Sequence, residues 1–174
     1  MKLPNLITVF RLLMVPLFIL PLTAEPPMYI FSLVVFLVAS VSDAADGAIA
    51  RKTGTVTATG RFLDPLADKL LIISGFIMLT VLGRVPLILT QVVLARDILI
   101  GIGWLSVYLF TGIRTIKPSV LGKTTTIFQM GVITTGLAGW GVVDFFIPAA
   151  GVFTALSGIH YLARESSLLA RSRR

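Results

Sequence analysis

Four aspartates, Asp43, Asp46, Asp64 and Asp68, fall within 26 residues and make up half of the chain's eight carboxylates. Asp43 and Asp46 are spaced i, i+3, with Ala50 continuing the same face at i+7, and Asp64 and Asp68 are spaced i, i+4. On helices, each spacing puts both carboxylates on one face. Four carboxylates in one small volume cannot all stay ionised unless positive charge is supplied. Arg51 and Lys69 are too few and sit at the edge. An all-oxygen donor set without His or Cys suits a hard ion, Mg²⁺ or Mn²⁺. Two pairs can hold two ions, the arrangement that clamps phosphoryl oxygens in displacement chemistry. Gly47 and Gly60 remove side chains where a ligand would approach. The plainer reading is that isolated aspartates reach the membrane interface or cap a helix, and Asp64-Pro65 does look like a helix start. That reading serves one aspartate, not two facing pairs set among glycines and Arg51.

The elements that must carry these residues are apolar helices. The chain has 174 residues, 56% hydrophobic and 13% charged, with a mean hydropathy of +0.96. A soluble domain usually carries about 25% charged residues. Six stretches, 5–22, 28–50, 62–82, 86–110, 118–142 and 145–163, read as spans of the length that about 30 Å of hydrocarbon requires. The expected class is all-α: a polytopic membrane protein with six transmembrane helices, forming one domain over residues 1–174. Breaks fall at "TAEPP", at 52–60, at Gly83-Arg84, at "TGIRTIK" and at Asp144. The short connections make neighbouring helices antiparallel, so the segment 52–60 brings both aspartate pairs to one membrane depth.

Cations set the orientation. With the N-terminus inside, thirteen of the fifteen Lys and Arg residues lie at cytoplasmic ends; Arg84 falls outside and Arg96 within a span. Both termini are therefore expected in the cytoplasm. Cleavage of the first span as a signal peptide is not expected, because Asn5 and Arg11 interrupt its start and "LTAEPP" is a poor cleavage site. The net charge of +7 is scattered between spans without aromatic–basic repeats, the layout of topology signals and anionic-lipid contacts, not of nucleic-acid binding. The lack of cysteine removes disulfides and thiolate chemistry.

The order Asp43-x2-Asp46-Gly47-x2-Ala50-Arg51-x8-Gly60-x3-Asp64-x3-Asp68 resembles, without a departure, the signature of the CDP-alcohol phosphatidyltransferases. Eight fixed positions at about 6% usage each give a chance match on the order of 10⁻¹⁰ per starting point. The resemblance implies an integral membrane enzyme, usually a homodimer, that transfers a phosphatidyl group from CDP-diacylglycerol to an alcohol and releases CMP. It implies that Asp43, Asp46 and Asp64 ligate two divalent ions, and that Asp68 completes the cluster and acts as general base. Gly47, Ala50, Arg51 and Gly60 would surround the nucleotide and pyrophosphate. The active site would face the cytoplasm of a bacterial inner membrane.

Other polar positions each carry two readings. Asn5, Thr8 and Arg11 form a stripe resembling the "PN-x-x-T-x-x-R" opening of bacterial members that make phosphatidylglycerophosphate. They contact the pyrophosphate, or they begin an interfacial helix with Arg11 snorkelling to headgroups. Arg96 and Asp97, inside the fourth span, either serve the site or form a charge-compensated packing pair. Lys123 and Arg114 bind an anionic acceptor, or are ordinary positive-inside residues. Glu25 and Asp144 read as external loop charges, and His160 as an interfacial or packing residue. "ARDILI" and "IKPSVLGKTTTIFQ" resemble both the members that use glycerol 3-phosphate and those that use phosphatidylglycerol to make cardiolipin. Glycerol 3-phosphate is the favoured acceptor, although Arg96-Asp97 departs from the Arg-Glu frequent in the first group. A divalent-cation transporter is the rival of another class. It would want carboxylates spread through the membrane depth and would leave Gly47, Arg51 and Gly60 without a role.

Overall fold

Every regular element among the described residues is a helix. The computed structural model describes the backbone of residues 3–53, 60–111 and 119–172, and the side chains of 10–42, 67, 69–106 and 119–164. The helices are α1 (Leu3–Ile19, continued by a 3-10 turn, Leu20–Thr23), α2 (Tyr29–Thr53), α3 (Gly60–Val81), α4 (Leu87–Thr111), α5 (Val120–Ala138) and α6 (Val143–Ser172). Each expected span thus corresponds to one helix. Three ends differ most from expectation: α6 runs on to Ser172 instead of stopping near residue 163, and the other two lie at the α5–α6 junction. The fifth span was expected to reach residue 142, but α5 stops at Ala138, because Gly139 takes a φ of +69° and the Trp140 N–H returns to the Thr135 carbonyl at 3.1 Å. This six-to-one bond with a left-handed glycine is a Schellman termination. The restart then falls at Val143, so Asp144 is not a loop charge: it lies exposed in the first turn of α6, where a carboxylate suits the helix dipole.

The chain forms two compact units, Met1–Arg84 with Ile133–Trp140, and Val85–Val132 with Gly141–Arg174. In the first, α1 packs against both α2 and α3. The turn after α1 folds α2 back along it: Ser32 Oγ donates to the Phe18 carbonyl at 2.9 Å, and the buried Phe18 and Phe36 rings lie 6.0 Å apart. Glycines bring α3 against the end of α5. A Cβ on Gly75 would lie 2.7 Å from Ile133 Cδ1, and one on Gly136 would lie 3.1 Å from Leu79 Cδ1.

Arg84 pins the same end of this unit. α3 closes with a second Schellman turn, Gly83 at φ +71° and the Arg84 N–H on the Leu79 carbonyl at 2.8 Å. The guanidinium then donates to the Gly136 carbonyl near the end of α5 at 2.6 Å and lies 3.6 Å over the Tyr29 ring at the start of α2. Charge-assisted hydrogen bonds and cation–π contacts of this kind are worth about 1.5–3 and 0.5–2 kcal/mol. Arg84→Ala is therefore expected to lower stability by about 2 kcal/mol, read as a lower Tm in detergent, with turnover of the surviving protein near wild type.

In the second unit α4 packs against α6. Leu89 faces Gly151, Arg96 Nη2 donates to Ser157 Oγ, and Tyr161 Oη donates to the Ile100 carbonyl at 3.1 Å. These pairs advance together, so α4 and α6 run parallel. Polar side chains face inward: Thr125 Oγ1 donates to the Phe153 carbonyl at 3.0 Å, and Gln129 Nε2 to Thr154 Oγ1 at 3.1 Å, all three side chains being buried. Large apolar ones face outward, among them Ile88, Ile98, Ile102, Val152 and Ile159. Water would reverse that pattern, whereas hydrocarbon favours it. Leu87–Ser106 and Val143–Arg164 are long and apolar enough to cross a bilayer. Phe10–Thr23, Tyr29–Ser42 and Lys69–Val81 are shorter apolar stretches among the described residues. The protein is a helical membrane protein.

Candidate active site

The backbone brings the two aspartate pairs to one level. Arg84 on Tyr29 ties the end of α3 to the start of α2, so the two helices run in opposite directions from a common end. Asp43 and Asp46 stand fourteen and seventeen residues beyond Tyr29 on α2; Asp68 and Asp64 stand thirteen and seventeen residues before Val81 on α3. At 1.5 Å per residue, these are heights of about 21 and 26 Å on α2 and about 20 and 26 Å on α3. Asp43 is thus level with Asp68, and Asp46 with Asp64. Both helices are continuous through these positions, so the i, i+3 and i, i+4 spacings hold. Gly47, Ala50 and Arg51 follow on the last turns of α2, and Gly60 begins α3. The side chains of all these residues, and the segment 54–59, lie outside the described residues.

α1 is the helix that both carriers share, and it holds a residue whose environment the sequence left open. Arg11 is buried, with 3% of its surface exposed. It is seven residues before Phe18, and seven residues on from Ser32 and Phe36, the α2 partners of Phe18, lie Ala39 and Asp43. An interior arginine at the level of the first aspartate is not a snorkelling one. A buried guanidinium needs an anion or a full set of acceptors close by, and the i, i+3, i+6 stripe was the only sequence signal for it. Asn5 and Thr8 lie further toward the start of α1, with side chains outside the described residues.

The residues expected at the acceptor belong to the second unit. Arg96 Nη1 and Asp97 Oδ1 form an ion pair at 2.7 Å, with the two side chains 12% and 8% exposed. Arg96 Nη2 also donates to Ser157 Oγ on α6 at 2.9 Å. Ser119 caps α5, its Oγ accepting the Gly122 N–H at 3.0 Å, and Gly122 leaves room for Arg96: a Cβ there would lie 3.4 Å from Nη2. Lys123, one residue on, is exposed. Arg114 lies outside the described residues. Ser157 has no local signal in sequence, since it stands 61 residues from Arg96. His160 is exposed on α6, as an interfacial residue would be.

The family model for CDP-alcohol phosphatidyltransferases matches residues 1–157. The chain belongs to that family. The match includes the two aspartate pairs on α2 and α3 and runs to Ser157. Among similar proteins, the CDP-diacylglycerol–glycerol-3-phosphate 3-phosphatidyltransferase of Bacillus subtilis (strain 168) is 29% identical over 192 residues, 98% of each chain. The protein of the same name from Rickettsia bellii (strain RML369-C) is 32% identical over 170 residues, 92% of this chain and 93% of that one. That of Aquifex aeolicus (strain VF5) is 33% identical over 148 residues, 83% and 81%. The chain is a phosphatidyltransferase enzyme.

Proposed function

We propose that the enzyme transfers the phosphatidyl group of CDP-diacylglycerol to the hydroxyl of glycerol 3-phosphate, forming phosphatidylglycerophosphate and CMP. The observation that carries this reading is the likeness, over nearly the whole chain, to relatives named for that reaction. The chemistry of the donor set fits two divalent cations, Mg²⁺ or Mn²⁺, held by Asp43, Asp46, Asp64 and Asp68: four carboxylates paired by height, without soft donors. Bound there, the ions would neutralise the pyrophosphate and make CMP a better leaving group.

Asp68 accepts the proton of the attacking hydroxyl as the new P–O bond forms and the bond to the CMP oxygen breaks. Asn5, Thr8, Gly47, Ala50, Arg51 and Gly60 line the nucleotide and pyrophosphate. Buried Arg11, at the level of Asp43, adds a fixed positive charge near the carboxylates. Lys123, Arg114 and Arg96 hold the acceptor's phosphate, a dianion best met by cations that hydrogen-bond its oxygens.

All six helices cross the membrane in this reading, including the three with shorter apolar stretches, whose polar ends surround the site. The Lys and Arg bias puts both termini and the aspartates on the cytoplasmic side of a bacterial inner membrane, where nucleotide and glycerol 3-phosphate arrive from water. The acyl chains remain in lipid, and the protein works as a homodimer. Residues 1–174 act as one catalytic domain.

Purified protein given labelled CDP-diacylglycerol and Mg²⁺ is expected to make phosphatidylglycerophosphate from glycerol 3-phosphate and little cardiolipin from phosphatidylglycerol. Lys123→Ala is expected to raise KM for glycerol 3-phosphate by about tenfold and far more than KM for CDP-diacylglycerol. Cardiolipin as the dominant product would replace the acceptor and keep the phosphatidyl transfer. The absence of CMP release with any alcohol, alongside cation flux into vesicles, would favour a transporter.

A further inference from the structure

We infer that Ser157 and the Nε–H edge of Arg96 form one oxyanion receptor for the phosphate monoester of the acceptor, with Asp97 as the residue that positions the guanidinium. The inference rests on glycerol 3-phosphate being the acceptor and adds a residue, Ser157, that its chemistry has not required until now.

Arg96 uses two of its three nitrogens within the fold: Nη1 donates to Asp97 at 2.7 Å and Nη2 to Ser157 Oγ at 2.9 Å. Its Nε is buried and has no hydrogen-bond partner among the described residues. An arginine that served only to pack α4 against α6 would be expected to satisfy that donor or leave it in water, because a buried N–H without an acceptor is costly. Ser157 is 3% exposed; its oxygen accepts from Arg96, and its own proton has no acceptor among the described residues. Nε and Nη2 share one edge of the guanidinium, and Asp97 holds Nη1, outside that edge. Two unspent donors, Arg96 Nε–H and Ser157 Oγ–H, therefore stand within one hydrogen-bond length of the same Nη2. That is the donor pair an oxyanion takes up.

Two glycines flank this edge and its stem. Gly122 faces it from the first turn of α5, where a Cβ would press to 3.4 Å from Nη2 and 3.3 Å from Ser119 Oγ. Gly158 lies beside the stem, its added Cβ at 3.7 Å from Arg96 Cγ. α4 continues fifteen residues past Arg96 and α6 fifteen past Ser157, whereas α5 starts only two residues before Gly122. The edge thus lies at the recessed start of α5, between two longer parallel helices. Asp97 cancels the charge of Arg96 at rest, so the guanidinium can remain in a low-dielectric interior until a second anion arrives.

The test is steady-state kinetics on full-length protein in mixed micelles, varying each substrate with the other saturating. Ser157→Ala is expected to raise KM for glycerol 3-phosphate about tenfold or more, with KM for CDP-diacylglycerol within about twofold of wild type. Ser157→Thr, which keeps the hydroxyl, is expected to recover most of that loss. Should Ser157→Ala fail to fold, Arg96→Lys removes the Nε–H and keeps the charge, and it is expected to give the same one-sided rise. An unchanged KM for glycerol 3-phosphate, or both KM values rising together, overturns the receptor and leaves Ser157 as a packing residue. Wild-type protein that forms cardiolipin and no phosphatidylglycerophosphate removes the acceptor reading itself, and this inference with it.

Discussion

Asp43→Asn, Asp46→Asn and Asp64→Asn are each expected to lower CMP release by about 10²–10⁴, the factor that corresponds to losing several kcal/mol of electrostatic stabilisation. Each change keeps the shape of the side chain and removes one charged oxygen donor from a set of four. Two divalent ions that share four carboxylates lose a large Coulombic term when one of the ligating three is neutralised in an environment drier than water. The same substitution has an opposite effect on the metal-free fold. Without cations, carboxylates held level on α2 and α3 repel one another, so removing one relieves strain. In EDTA, each variant should therefore melt at or above the wild-type Tm. Added Mg²⁺ or Mn²⁺ should raise the wild-type Tm by linkage, and raise that of the variants much less. Raised Mn²⁺ is expected to restore part of the activity of at least one variant. Full turnover in any of the three, with wild-type metal stabilisation, would falsify the ligand assignment.

What the sequence could show follows from the range over which its signals act. The aspartate motif was legible because each pair sits within a helical turn, and because apolar runs fix the helices that carry them. The levels of the two pairs needed the far ends of α2 and α3 to be joined, and Arg84 on Tyr29 does this 55 residues apart. Nothing local marks that contact; a lone arginine between apolar spans reads as a topology signal. Arg96 and Ser157 pose the same difficulty, since hydropathy records a single hydroxyl in an apolar helix as almost nothing. Helix ends failed for a different reason. Gly139-Trp140-Gly141-Val142 is apolar enough to extend a span, yet glycine at positive φ stops the helix. Past Ala163 hydropathy ends a span, while "RESSLLARS" keeps good helix formers and α6 runs on to Ser172.

The proposed roles fall unevenly on the two units. The first contains the four aspartates and buried Arg11, proposed for the phosphoryl group; the second contains Arg96, Ser157 and Lys123, proposed for the acceptor. Substitutions in the two should therefore fail in different ways. Loss of a ligand weakens a step common to all acceptors. Loss of an acceptor contact raises one KM and spares the other. On these assignments, a substitution in the second unit can alter acceptor choice without disturbing the four aspartates.

Asp68→Asn separates the remaining carboxylate from its neighbours. If its main work is proton transfer, the amide should leave CDP-diacylglycerol binding in place, because Asp43, Asp46 and Asp64 still hold the cations and Asp68 only completes the cluster. The hydroxyl of the acceptor then has no base, and CMP release should fall by about 10² or more. A direct binding measurement with CDP-diacylglycerol and Mg²⁺ should give a Kd within a few-fold of wild type. Asp68→Glu keeps the carboxylate one methylene further out, and should retain more activity than the amide. Binding and turnover that collapse together, with metal-induced stabilisation also lost, would make Asp68 a ligand like the other three and end its assignment as the base.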